Sequence, residues 1–335
     1  LVCDAQADRW RVTRTVTTLD LPDNLQRLLV ARIDRLSPDE RFVLQVASVI
    51  GSVFWSNVVR AVIGEAPQLT RHLTALQRAQ LIQETGRTPE LGMQYLFRSP
   101  LVRDAAYDSL LTAQRIALHA RVAEYLAFNI NPDALVGYYG LLAEQFRGAE
   151  NHPKELFYTL LAAEQARKIY ANAEALQRYN RAVELLDRME AEAMDDGRRR
   201  AIAAQRFEVF KGRYEVLLAM GEIESARADA RALLALADAM PDDLAWRVDA
   251  LLAQPEVGVD KDVRDEVAHG LSLAQEALVL ARRIGDRPRE LQATIAVTRL
   301  SFFLRRPEAR ELAERALAMA RELGDLRAEV SLLLG

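Results

Sequence analysis

Cysteine occurs once in these 335 residues, as Cys3, which excludes an internal disulfide and any zinc site built from several cysteines. A reducing, cytoplasmic setting fits that scarcity. No apolar run approaches the roughly 20 residues needed to span a bilayer, so no membrane segment is expected. Glycine (15) and proline (11) are sparse, which leaves few helix breakers and favours helix over loop. Lysine is nearly absent as well. Of 44 basic residues only Lys154, Lys168, Lys211 and Lys261 are not Arg, a bias of composition rather than of function. The net charge of −4 argues against a chain whose main task is coating nucleic acid. The opening Leu1-Val2-Cys3-Asp4 has no initiator Met and no signal pattern, so a piece of a longer polypeptide is expected.

Catalytic motifs are missing too. There is no G-x-x-x-x-G-K-[ST], no G-x-G-x-x-G and no G-x-S-x-G. His72, His119, His152 and His269 lie far apart, without metal-ligand spacing. Asp260, Asp262, Asp265 and Glu266 invite a calcium loop. Arg264 stands where an oxygen ligand is needed, however, and Asp265 replaces the turn glycine. Asp195-Asp196 and Asp242-Asp243 read as helix caps. No catalytic residue, resident cofactor or metal is expected, and the chain is not expected to be an enzyme.

What is present is helical periodicity. Leu1-Val2-Cys3 and Trp10-Arg11-Val12-Thr13 read as two short strands. From Leu21, the stripe Leu25, Leu28, Leu29, Ile33, Leu36 predicts a helix. Ser37-Pro38-Asp39-Glu40 is a capping box opening a second one that ends at Gly51. Ser56–Ile63 and a helix opened by Pro67 follow. Then 81–85 and 93–97 read as a β-hairpin around a long GRTPELG loop. Three helices and a hairpin predict a winged helix. After Ser99-Pro100 everything reads as helix. LVLARRIGD (278–286) recurs as LAMARELGD 39 residues later and as LALADAMPD 44 residues earlier. Small residues fall into the same register: Ala226, Gly270, Ala309, then Ala230, Ala274, Ala313, with Ala175, Tyr179 and Ala182 upstream. Such a repeat predicts stacked antiparallel helix pairs. The expected fold is mainly α, a winged-helix domain with a small hairpin followed by a tetratricopeptide-like α-solenoid. The expected divisions are 1–20, 21–110, 111–150 as connecting helices, and 151–335. The apolar Val330, Leu332, Leu333 and Leu334 suggest a repeat cut short rather than a polar cap.

Two binding faces are expected. Counting back from the small landmarks places Glu164, Arg167 and Lys168, then Glu215, Leu218 and Ala219, then Thr298, Ser301 and Phe302 on the inner face of the first helices. Lys211 lies one turn before Glu215. That face is expected to take a protein or peptide, with Phe302 as an anchor or, in preference, as core. The alternative is duplex DNA on Arg71, Thr74 and Arg78, in a region (21–103) holding ten Arg against seven acidic residues. The chain would then be a transcriptional regulator with a repeat sensor.

LPDNLQRLLVARIDRLSPDERFVLQVASVIGSVFWSNVV (21–59) and FRSPLVRDAAYDSLLTAQRIALHARVAEYL (97–126) resemble the region behind the ATPase module in signal-transduction ATPases with tandem repeats, the STAND class. Many members are fused to adenylate or guanylate cyclase domains. The resemblance is specific over 10–126 and generic in the repeats. It implies that residues 1–20 end an upstream ATPase module, which would bind ATP or ADP. It further implies that the winged helix packs on that domain in cis and that the repeats sense a ligand or protein. Relatives usually carry a His where this chain has Ser99, which puts nucleotide sensing by Ser99 in doubt. As a helix cap Ser99 needs no such role.

Overall fold

The computed structural model describes residues 2–4, 9–11, 32–64, 68–254 and 264–334. The expected stripe Leu25, Leu28 and Leu29, the opening Pro67, Val12, Thr13, and the Asp260 and Asp262 of the rejected calcium loop lie outside them. Packing divides the chain into two units, residues 1–135 with 144–151, and residues 136–143 with 152–335.

In the first unit, β1 (Val2–Asp4) pairs antiparallel with β2 (Arg9–Arg11). Helix α1 (Pro38–Ile50) starts at the expected capping box: Ser37 Oγ accepts from the Glu40 N–H at 3.3 Å, and Glu40 Oε2 accepts from the Ser37 N–H at 3.0 Å. It buries Val43, Leu44, Val46, Ala47, Val49 and Ile50. A strand that periodicity did not reveal follows directly, β3 (Val53–Trp55). Three residues are too few for alternation to show. Next come α2 (Ser56–Ile63), α3 (Leu69–Arg78), β4 (Ile82–Thr88) and β5 (Gly92–Phe97). The sheet order is β3-β5-β4, all antiparallel, and a helix, a strand, two helices and a hairpin follow one another along the chain. The expected long hairpin loop is corrected. The strands continue to Thr88 and Gly92 through a bulge between Glu84 and Gly86. Polar groups from beside α2 hold the tip: the Trp55 indole N–H donates to Thr88 Oγ1 at 3.1 Å, and Ser56 Oγ accepts from the Met93 N–H at 3.0 Å.

Helices α4 (Pro100–Asp108), α5 (Thr112–Asn129) and α6 (Pro132–Leu135) precede α7 (Tyr139–Gly148), whose residues from Glu144 onward belong to this unit. A buried relay ties them together. The Gln145 amide donates to the Val49 and Ile50 carbonyls at 3.1 and 3.0 Å, so its oxygen faces His119 Nδ1 at 2.8 Å. That geometry makes Nδ1 the protonated nitrogen, leaving Nε2 to accept from the Tyr107 hydroxyl at 3.0 Å.

The second unit is a run of antiparallel helix pairs: α8 (His152–Lys168) with α9 (Asn172–Ala191), α10 (Asp196–Met220) with α11 (Ile223–Ala239), α12 (Leu244–Ala253) with α13 (Arg264–Ile284), and α14 (Arg287–Phe303) with α15 (Ala309–Leu323). A last helix, α16 (Leu326–Leu334), exposes Leu326, Val330 and Leu333. The chain is mainly α, and these pairs are tetratricopeptide-like. The small landmarks Ala175, Ala226, Ala230, Ala274 and Ala309 are buried, where close helix approach needs them. Asp195, Asp243, Asp286 and Asp325 each accept from a backbone N–H three residues on, capping α10, α12, α14 and α16.

Three of the turns inside pairs share one device. Tyr170, Gly221 and Arg305 take left-handed φ of 59°, 77° and 54°. The next N–H reaches back five residues to the carbonyls of Ala166, Leu217 and Ser301, each at 2.9 Å. That is the Schellman closure of a helix C-terminus.

Candidate functional site

The left-handed residues give the first helices a common ruler. Six residues before each lie Glu164, Glu215 and Arg299, and ten before lie Leu160, Lys211 and Ile295. Glu164 and Glu215 thus take the same step and Lys211 the step one turn earlier, whereas the expectation on α14 slipped by one residue. Thr298 (3% exposed) and Ser301 (1%) face the core, and the Thr298 hydroxyl donates to the Thr294 carbonyl at 2.7 Å. The cause is the landmark used for the count: Ala309 lies four residues after Arg305, whereas Ala175 and Ala226 lie five residues after Tyr170 and Gly221. Counting from the second helix therefore rotates α14 by about 100°. Phe302, read as core in preference, is 51% exposed beside an exposed Phe303. Lys168 is exposed at the end of α8.

Along this face ion pairs join successive first helices. Glu164 accepts from Tyr179 and, at 2.8 Å, from Arg167. Arg167 also donates to Glu215 on α10 at 2.6 Å. Burial alone would raise the Glu164 pKa, but the bonds from Arg167 and Tyr179 outweigh it and hold the carboxyl below its usual range. Burial and the same carboxylate push the Tyr179 phenol up. Further on, Lys211 Nζ donates to Asp249 Oδ2 on α12 at 2.7 Å. Arg289 on α14 spans both Asp249 oxygens at 2.9 Å and reaches its own cap, Asp286, at 2.6 Å. The Asp249 carboxylate is the largest of the influences that raise the Arg289 pKa. Asp249 and Arg289 had no signal in the sequence beyond belonging to adjacent repeats.

Lys211, Glu215, Asp249 and Arg299 line a cleft of about 330 Å³ together with Gln292 and the apolar Leu233, Leu252, Ile295 and Ala296. Among the described residues no group of three or more His, Cys, Asp or Glu could hold a metal ion, and no helix is long and apolar enough to cross a membrane.

In the first unit Arg71 and Arg78 are exposed on α3, while the Thr74 hydroxyl donates to the Thr70 carbonyl at 2.8 Å. Ser99 Oγ accepts from the Leu101 N–H at 3.3 Å as the cap of α4.

No protein-family model matches the chain, and no curated protein matches it. Among solved structures it is similar to a signal transduction ATPase with numerous domains (STAND) with a tetratricopeptide repeat sensor from Pyrococcus horikoshii. That match has 15% identity and a TM-score of 0.38, covering 94% of this chain and 49% of the other. It is also similar to aspartyl phosphate phosphatase F from Bacillus subtilis, at 11% identity and a TM-score of 0.46, covering 92% of this chain and 72% of the other. The chain thus spans about half the length of the Pyrococcus protein.

Proposed function

We propose that this chain is the switch-and-sensor region of a larger signalling ATPase and carries out no chemistry itself. In this reading residues 1–20 end an ATPase module that binds ATP or ADP, and residues 21–110 pack on it in cis. Residues 111–150 connect, and residues 151–335 recognise a protein or small ligand. The observation that carries the sensor half is the row of polar groups on α8, α10, α12 and α14, interrupted by one open cleft with apolar residues in its lining. A face held only for packing would close that space with side chains.

Each half has its own test. The coding sequence on the amino-terminal side of Leu1 should contain a phosphate loop, G-x-x-x-x-G-K-[ST], behind a strand; its absence removes the ATPase half. The sensor half is tested by thermal-shift screening of metabolites and peptides against wild-type chain and Glu215→Lys. A stabiliser whose effect vanishes in the variant supports it, and a stabiliser indifferent to the variant places recognition elsewhere.

A further inference from the structure

The ionic groups of the cleft are not equally committed. Glu215 is taken by Arg167 at 2.6 Å. Asp249 is taken by Arg289, which spans both its oxygens at 2.9 Å. Neither arginine lines the cleft. A cationic ligand would have to displace a partner already in place, a bidentate one at Asp249. Lys211 stands differently. It is an additional donor on a carboxylate that Arg289 already neutralises, so turning its ammonium toward a ligand leaves no buried charge alone. Its three N–H groups also permit a second bond while the first is kept.

The apolar lining sets the other half of the ligand. Leu252 and Ile295 are only partly buried and face the cleft with Leu233 and Ala296, while Arg299 lines the same space. A volume of about 330 Å³ lies at the small end of ligand pockets, which suits a compact body rather than a long chain. We propose that this cleft binds a small aliphatic carboxylate, its branched body on Leu252 and Ile295 and its carboxylate on Lys211. This inference rests on the reading of the first-helix face as the recognition surface and names the chemistry that surface takes.

The experiment uses the full chain with isoleucine methyl labels, titrated separately with 4-methylpentanoate, with isopentylamine as its cationic counterpart, and with acetyl-Ala-Ala-Leu bearing a free carboxylate. The Ile295 methyl resonance is expected to shift saturably with the acid, while the methyls of Ile223 and Ile284, outside the cleft, stay put. Lys211→Met should weaken the acid at least about tenfold, and Lys211→Arg should keep it within about threefold. No saturable Ile295 shift with the acid overturns the proposal, as does an amine that binds as tightly. An acid that binds equally to Lys211→Met also overturns it. A response to the peptide without one to the acid overturns it too, yet leaves the broader reading of the face as a protein-recognition surface intact.

Discussion

At Gly212 a side chain has no room. A Cβ there would lie 2.4 Å from the Tyr179 hydroxyl and within 2.8 Å of its ring. Tyr179 is itself buried and bonded to Glu164, so it cannot swing aside without breaking that contact. Gly212→Ala is expected to lower stability by about 1–3 kcal/mol, the usual range for overpacking. Urea denaturation checks it, and a midpoint unchanged from wild type would mean that α9 and α10 separate freely. His119 makes a second prediction. Burial lowers its pKa from 6.5, and Arg147 and Arg115 add to this against the opposing bond from Gln145. Between the lowered folded value and 6.5 the unfolded chain binds the extra proton, so stability should fall as pH drops through that window and be fully present above it. Histidine NMR titration should give His119 an apparent pKa below 6.5. A value at or above 6.5 would mean that the Tyr107–His119–Gln145 relay is open to water.

At the scale of elements, caps were the most readable feature. Ser37-Pro38-Asp39-Glu40 closes both bonds of its box. Ser37→Ala should cost about 1 kcal/mol in chemical denaturation, and a loss under a few tenths would show that packing alone fixes the start of α1. Asp195 and Asp243 were equally legible, because a cap is a local bond between residues three apart. Strand β3 was not, since three residues leave no period and its place depends on β5, some forty residues on. The ends of the first helices were hidden for another reason. Tyr170 and Arg305 adopt left-handed backbone that glycine ordinarily marks. Gly221 is the one glycine of the three. Without those endpoints, the count from the second helix put Thr298 and Ser301 on the same face as Glu164 and Glu215, whereas both are buried. The helix pairs were readable from recurring small residues; the rotation of each first helix depended on how far its left-handed end lies from that landmark, which the repeat spacing did not fix.

Across the repeats as a whole, the ionic row links helices that are far apart in the chain, and acid should loosen it. Arg partners hold Glu164 and Glu290 below their ordinary 4.5. The Arg289 backbone N–H and side chain hold Asp286 below 3.8. Each group adds stability that is complete above its ordinary value and is lost as pH falls through the lowered one. Asp249 is the hub, accepting from Lys211 on α10 and Arg289 on α14 while sitting on α12. Asp249→Asn leaves two cations facing each other. A fully buried pair broken this way costs about 3–5 kcal/mol. Here both cations reach solvent, so about 1–3 kcal/mol is expected after screening. Lys211→Met should cost less than about 1 kcal/mol, because Asp249 keeps Arg289. The double variant should then be more stable than the sum of the single losses implies, since removing Lys211 also removes the repulsion that Asp249→Asn creates. Urea unfolding of the three variants measures all of this. Equal costs for the two single variants would mean that Asp249 serves one partner only, and that the first helices are held together by their apolar contacts alone.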